Sequence, residues 1–174
     1  LIVGNLKTTY EVGVADAIIG DTKILSQAPM PMILAGIADI LGKYTCLTDW
    51  KMAQIINGEY YCESIVQMVR TSLQSVAENI EKAAARDEQT VGKIMEALVL
   101  TGIAMSFVGN SRPASGSEHH ISHYWEMMFL HEGKKAVLHG TKVGIGTVAV
   151  SKMYDWLWET PVDFDAARRL AQAR

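Results

Sequence analysis

All five histidines of this 174-residue chain lie between His119 and His139, and none lies elsewhere. His119 and His123 are four apart, so on a helix they share a face, while His120 points about 100° away. Imidazole is the commonest borderline ligand for zinc, nickel and iron, and a metal site needs two or three such groups converging with a carboxylate. His139 offers another imidazole from the next helix. It opens the run Leu138-His139-Gly140-Thr141-Lys142-Val143-Gly144, whose small residues permit close approach of a second backbone or a ligand. The alternative is a set of surface or core histidines with satisfied hydrogen bonds.

Such a site also needs a carboxylate. Ala35-Gly36-Ile37-Ala38-Asp39-Ile40-Leu41-Gly42 places one acid in an otherwise apolar helix, where an unpaired charge would be costly. A metal ion is one partner for Asp39. A salt bridge with Lys43, or simple exposure of that turn, is another.

The elements that must position these groups follow from the apolar pattern. Residues 1–20 alternate and are rich in β-branched side chains, with turn chemistry at Gly4-Asn5 and a second short strand over Gly13 to Gly20. Everything after that reads as helix. Asp21-Thr22 caps a short helix ending before Pro29; a second is expected from Met30 to Thr45, and a third from Thr48 or Asp49 to Asn57-Gly58. Ile65, Val69, Leu73, Val76, Ile80 and Ala83 give one apolar face to a helix from Cys62 to Ala85. The next runs from Asp87 or Glu88 to Val108, apolar all round from Ala97 onward, which predicts burial among other helices. Further helices are expected from Ser115–Ser117 to Phe129, from His139 to Trp158, and after a cap at Asp163-Phe164-Asp165. The fold class is therefore mainly α: a helical bundle over residues 21–174 preceded by a β element over 1–20.

Composition narrows the function classes. With 49% hydrophobic residues, 20% charged residues and net charge −3, there is no basic excess to neutralise phosphates, so nucleic acid is not an expected partner. The longest charge-free helical stretch, Ala97 to Asn110, falls short of the roughly 18 apolar residues a bilayer needs. No membrane association is expected, nor a secretory signal. Two cysteines, Cys46 and Cys62, fit a reduced, cytoplasmic protein. The chain starts Leu1-Ile2-Val3, without Met and in mid-strand, which reads as the edge of a longer protein.

Three motifs carry a family likeness. Ala35-Gly36-Ile37-Ala38-Asp39-Ile40-Leu41-Gly42-Lys43, Ser111-Arg112-Pro113-Ala114-Ser115-Gly116-Ser117-Glu118-His119 with His123 beyond it, and His139-Gly140-Thr141-Lys142-Val143-Gly144 resemble sn-glycerol-1-phosphate dehydrogenases in order and spacing. That family sits with glycerol dehydrogenase and dehydroquinate synthase among the metal-dependent alcohol dehydrogenases, and the bacterial type is most similar. The resemblance implies Asp39, His119 and His139 as metal ligands and His123 as the catalytic residue facing substrate and nicotinamide, with Asp39 and His123 as the substrate-binding pair. Dehydroquinate synthases carry Glu at the Asp39 position, which favours the dehydrogenase branch. Ala38 departs from the Gly that many relatives have there.

The family fold pairs an α/β domain that binds NAD(P) with a helical domain that holds the metal. This chain resembles the second, with residues 1–20 as the joint to the first; no Gly-rich phosphate loop is found, since Gly140 to Gly146 follows a histidine rather than a strand. The implied reaction is reduction of dihydroxyacetone phosphate by NADH or NADPH to sn-glycerol 1-phosphate, in a homo-oligomer. The implied metal is nickel by resemblance to the bacterial enzymes, with zinc next. Glu118 and Ser115 are candidates to orient an imidazole, and Arg112 to meet the substrate phosphate unless it is a plain surface arginine. The competing readings are a glycerol or other polyol dehydrogenase of the same superfamily, and a non-catalytic helical module presenting the aromatics of Tyr154-Asp155-Trp156-Leu157-Trp158.

Overall fold

A computed structural model describes residues 2, 3, 6–8, 10 and 13–173. Two-residue strands β1 (Ile2–Val3) and β2 (Leu6–Lys7) pair antiparallel, Ile2 opposite Lys7 and Val3 opposite Leu6. The turn read at Gly4-Asn5 lies outside the described residues. Residues 13–20 form no strand, so among the described residues the β element expected over 1–20 comes to two residue pairs. A lone pair of strands needs a further strand or a covering helix to persist at greater length.

The helices are α1 (Thr22–Ser26), α2 (Met30–Leu41), α3 (Lys43–Asn57), α4 (Glu63–Ala77), α5 (Ile80–Ala84), α6 (Glu88–Val108), α7 (Ser117–His131), α8 (His139–Glu159) and α9 (Phe164–Gln172). Capping chemistry sets several of the ends. Asp21 accepts from the backbone N–H groups of Lys23 and Ile24, and Asp163 accepts from that of Ala166. Gly58 and Gly109 close α3 and α6 in the left-handed conformation that glycine adopts without penalty.

Two boundaries differ from expectation. The break between the second and third helices falls at Gly42, not between Thr45 and Thr48. Thr48 resembles a cap, but its hydroxyl donates back to the Tyr44 carbonyl at 2.9 Å, as that of Thr45 reaches the Gly42 carbonyl at 2.9 Å, and both residues sit inside α3. The helix expected from Cys62 to Ala85 is divided after Ala77, where Asn79 donates its side-chain N–H to the Ser75 carbonyl at 2.9 Å. A short polar side chain here competes with the backbone ladder.

One core joins Ile33, Ile37 and Ile40 of α2 to Leu73 and Val76 of α4 and to Val91, Ile94 and Ala97 of α6. A second gathers Cys46, Leu47 and Trp50 of α3 against Val66, Val69 and Ala104. The expectation that α6 is buried all round fails. Leu98, Ile103 and Phe107 are exposed, because only one side of α6 reaches α2 and α4. Trp156 and Trp158 near the end of α8 are exposed too, while Tyr154 donates its hydroxyl to Asp49.

By length and hydropathy the stretches Met30–Asn57 and Glu88–Val108 could both reach across a bilayer, although charge-free length alone excluded this. The first is a core element. It buries Ile33, Ile37, Ile40 and Trp50 within the bundle and carries the buried Lys43.

Asp87 illustrates how the caps respond to acid. It accepts from both the N–H and the hydroxyl of Thr90 at the start of α6, and these bonds hold its carboxyl below the usual 3.8. A carboxyl with a depressed folded pKa stabilises above its unfolded value and loses that contribution as pH falls through the folded one. Asp87→Ala therefore lowers the urea midpoint at pH 7, and the gap from wild type closes as the pH is taken below about 3.8. Urea unfolding of both proteins across pH 2.5–7 checks this.

Candidate metal centre

Three helices bring the predicted groups together: α2 carries Asp39, α7 carries His119 and His123, and α8 begins at His139. Both α2 and α7 pack on α8, and glycines set how closely. A Cβ added to Gly140 would run into the backbone of Ala35, and one on Gly146 would lie 2.7 Å from the Glu118 carbonyl oxygen. One on Gly144 would lie 2.8 Å from the Cβ of Ala38. The small residues of the His139 run thus serve approach of a second backbone.

The turn before α7 is built the same way. A Cβ on Gly116 would fall 2.7 Å from the Cα of Cys46, so glycine lets this turn lie on α3. Carboxylates satisfy the first N–H groups of α7: the Gly116 N–H donates to Glu118 Oε1 at 2.9 Å, and the Ser117 N–H to Asp49 Oδ2 at 2.6 Å. Glu118 is fully buried and also accepts from Thr45 Oγ1 at 2.7 Å. Burial alone would raise its pKa, but the bonds from His119, Thr45 and Gly116 outweigh this and hold it below the usual 4.5.

The histidines are aimed by carboxylates. His119 Nδ1 lies 2.7 Å from Glu118 Oε1, and His139 Nδ1 lies 2.9 Å from Glu126 Oε1. His123 Nδ1 lies 3.0 Å from Glu126 Oε2, and its ring stacks on that of His139 with centroids 5.4 Å apart. An ionised carboxylate only accepts, so each Nδ1 carries the proton and donates. For Glu126 burial pushes the pKa up, yet the bonds from His123, His139 and Lys142 prevail and bring it down to about 2.

The consequence is on the other side of the rings. In the neutral imidazole a proton on Nδ1 leaves the lone pair on Nε2, and the Nε2 atoms of His119 and His139 lie 3.9 and 3.6 Å from Asp39 Oδ2. These distances exceed hydrogen-bond range. The three ligand atoms lie within 4.8 Å of one another. Ligands about 2.0–2.1 Å from a tetrahedral ion sit roughly 3.3 Å apart, so a small contraction would seat one. One carboxylate with two imidazoles is a donor set that zinc, nickel, iron and cobalt accept. The residues fit a divalent metal.

Asp39 also resolves the alternatives left open for it. Its Oδ1 accepts from Lys43 Nζ at 2.6 Å, while Oδ2 faces the imidazoles. The salt bridge and the histidine-facing role coexist, one on each oxygen.

Other expectations sort differently. Arg112 donates from Nε and Nη2 to both oxygens of Glu59, at 2.7 and 2.6 Å, so its guanidinium is committed to a carboxylate. Ser115 bonds through its backbone N–H to the Ser111 carbonyl and shows no bond to the imidazoles. His120 and His131 are exposed. The Cys46 thiol is buried, and burial pushes its pKa up, away from nucleophilic use.

Glu126 was missed in the sequence. The signal was its spacing, since His119, His123 and Glu126 follow the i, i+4, i+7 pattern of one helix face.

No family model matches the chain. Curated relatives do. The chain is 41% identical over 154 residues to glycerol-1-phosphate dehydrogenase (NAD(P)+) of Halalkalibacterium halodurans, a match covering 88% of this chain and 39% of that protein. The protein of the same name from Geobacillus thermodenitrificans is 43% identical over 88% of this chain and 38% of its own length. That of Thermococcus kodakarensis is 36% identical over 88% and 42%. The chain thus spans about two fifths of the length of the relatives it matches. The likeness carried by the three motifs and these alignments agree: the chain is a relative, over that part of their length, of the glycerol-1-phosphate dehydrogenases.

Proposed function

We propose that this chain is the metal-holding part of an NAD(P)H-dependent enzyme that reversibly reduces dihydroxyacetone phosphate to sn-glycerol 1-phosphate. The observation that carries the reading is the convergence of Asp39 Oδ2 with the Nε2 atoms of His119 and His139, each imidazole fixed from behind by a carboxylate. The names of the relatives support the reaction and the nicotinamide cofactor. Residues 21–174 are the helical metal-binding domain, and the nucleotide is held by a separate domain of the complete protein.

A divalent cation bound there would supply Lewis-acid polarisation of the substrate ketone. Asp39, His119 and His139 would hold it and leave coordination positions for substrate, as a catalytic rather than a structural site requires. Lys43 keeps Asp39 Oδ1 occupied, so the carboxylate offers one oxygen. His123 lies beside the triad with its ring against His139, placed to bind the substrate hydroxyl and carry the proton that accompanies hydride transfer. Nickel is the first candidate and zinc the second, because the donor set accepts both and resemblance to the bacterial enzymes favours nickel.

The test is NADH and NADPH oxidation by the complete, metal-loaded protein with dihydroxyacetone phosphate and with unphosphorylated dihydroxyacetone. The phosphorylated ketone is expected to give the higher kcat/KM. Preference for dihydroxyacetone would move the protein to the polyol dehydrogenases, and failure with every ketone, with no ion bound, would favour a non-catalytic module.

A further inference from the structure

We propose that Glu126 is a positioning residue that fixes two imidazoles at once, setting the face His139 presents to Asp39 while holding His123 beside it. The inference rests on the metal-centre reading above. Its basis is that one carboxylate spans both rings: Oε1 lies 2.9 Å from His139 Nδ1, and Oε2 lies 3.0 Å from His123 Nδ1.

The two ligand imidazoles differ in how much else holds them. His119 has a side chain 9% exposed and rests on Glu118, which is fully buried. His139 is 40% exposed and stands at the first position of α8. Burial holds its ring less than that of His119, so its orientation depends more on a directed bond. Glu126 supplies that bond from α7, across the α7–α8 packing.

Glu126 is itself anchored. Lys142, one turn along α8 from His139, places Nζ 3.2 Å from Glu126 Oε1 and donates to the Val137 carbonyl at 2.7 Å. The Lys142 side chain is 8% exposed and that of Glu126 17%. The carboxylate is therefore tied to the N-terminal end of α8 by a cation as well as by an imidazole.

The same groups could be read as a second cation site, since ligand atoms of His123, Glu126 and His139 also lie within 4.8 Å of one another. Two observations oppose that. The ammonium of Lys142 already lies against Glu126 Oε1, and a ligand Nδ1 would have to give up the proton it donates. Glu126 mirrors Glu118: each gives a ligand histidine an acceptor behind the ring, the arrangement that fixes tautomer and raises ligand basicity.

The test uses the full-length protein as wild type, Glu126→Gln, Glu126→Asp and Asp39→Asn. Affinity and stoichiometry for Ni2+ and Zn2+ are measured by competition with a chelating dye. Long-range 15N–1H spectra of the metal-free proteins report imidazole tautomers. Gln retains the shape but offers one acceptor oxygen and a donor N–H, so it cannot serve both rings. Glu126→Gln is expected to bind a single ion about 10- to 100-fold more weakly than wild type. Its metal-free spectrum is expected to show loss of the Nδ1–H tautomer at His123 or His139, which a merely structural change would leave in place. Glu126→Asp, an acceptor that is too short to reach both rings, is expected to fall between the two.

Glu126→Gln affinity within twofold of wild type, unchanged tautomers, or two ions bound per wild-type chain would each overturn the assignment. A wild type that binds no ion would overturn the metal centre itself and this inference with it. That result differs from failure of Glu126 alone, in which wild type binds one ion, Asp39→Asn binds weakly and Glu126→Gln matches wild type.

Discussion

Asp39→Asn is expected to weaken divalent-metal binding by more than the roughly 10- to 100-fold typical of losing an outer partner, because it removes one of three ligands. The amide retains the shape and an oxygen but loses the charge that offsets the cation. The same substitution acts on stability. Lys43, whose side chain is 2% exposed, would keep its charge beside a neutral amide. Removing one member of a buried pair costs about 3–5 kcal/mol, and here about 2 kcal/mol is expected, since the amide oxygen still accepts from Nζ.

Asp39→Asn with Lys43→Met separates the two effects. Replacing a buried pair by well-packed apolar groups of similar volume is often neutral or stabilising, and Met removes the charge that Asp39→Asn leaves uncompensated. The double variant should therefore regain the urea midpoint of wild type while still binding metal as weakly as Asp39→Asn. Recovery of metal binding along with stability would show that Asp39 serves the fold and not the ion.

Gly140→Ala carries the second large effect. Its Cβ would meet the backbone of Ala35, which no side-chain rotation can move aside. Overpacking costs about 1–3 kcal/mol and occasionally more, and a collision with backbone should reach about 3 kcal/mol. Because His139 is the preceding residue, relief of the collision by shifting α8 also draws His139 away from Asp39, so metal affinity falls with stability. Gly144→Ala is the informative comparison. Its Cβ would meet the Cβ of Ala38, so Ala38→Gly should restore most of what Gly144→Ala loses. Ala35→Gly should restore nothing to Gly140→Ala. Equal rescue in the two pairs would contradict the packing derived for α2 and α8.

Gly144, opposite Ala38, leaves the space that the Ala38 methyl occupies across the α2–α8 contact, one residue before Asp39.

What was legible in the sequence followed from local chemistry. Asp21 and Asp163 announce their helices because a short carboxylate satisfies backbone donors at once. Clustered imidazoles and an acid in an apolar helix both call for partners, and the family resemblance is what implied the particular set of Asp39, His119 and His139. The errors came where a side chain answers to tertiary context. Thr45 ends the helix expected over 30–45, but it sits inside α3 and shares its one hydroxyl proton between the Gly42 carbonyl and Glu118 of α7, 73 residues away. Leu98, Ile103 and Phe107 read as core because pattern records hydrophobicity and not what stands opposite. Arg112 looked suited to a phosphate, and Glu59, from a distant turn, meets it instead. Glu126 was hidden for the converse reason. An acid on a helix face is ordinary in sequence, and only the fold shows two imidazoles resting on it.

The most direct test of the central claim is a crystal structure of the protein grown with Ni2+ or Zn2+, with anomalous diffraction recorded at the metal edge. One peak is expected, with Asp39 Oδ2, His119 Nε2 and His139 Nε2 each about 2.0–2.2 Å away and Glu118 and Glu126 still behind the two rings. A fully loaded protein whose peak lies elsewhere, or is held by His123, Glu126 and His139 instead, would contradict the account.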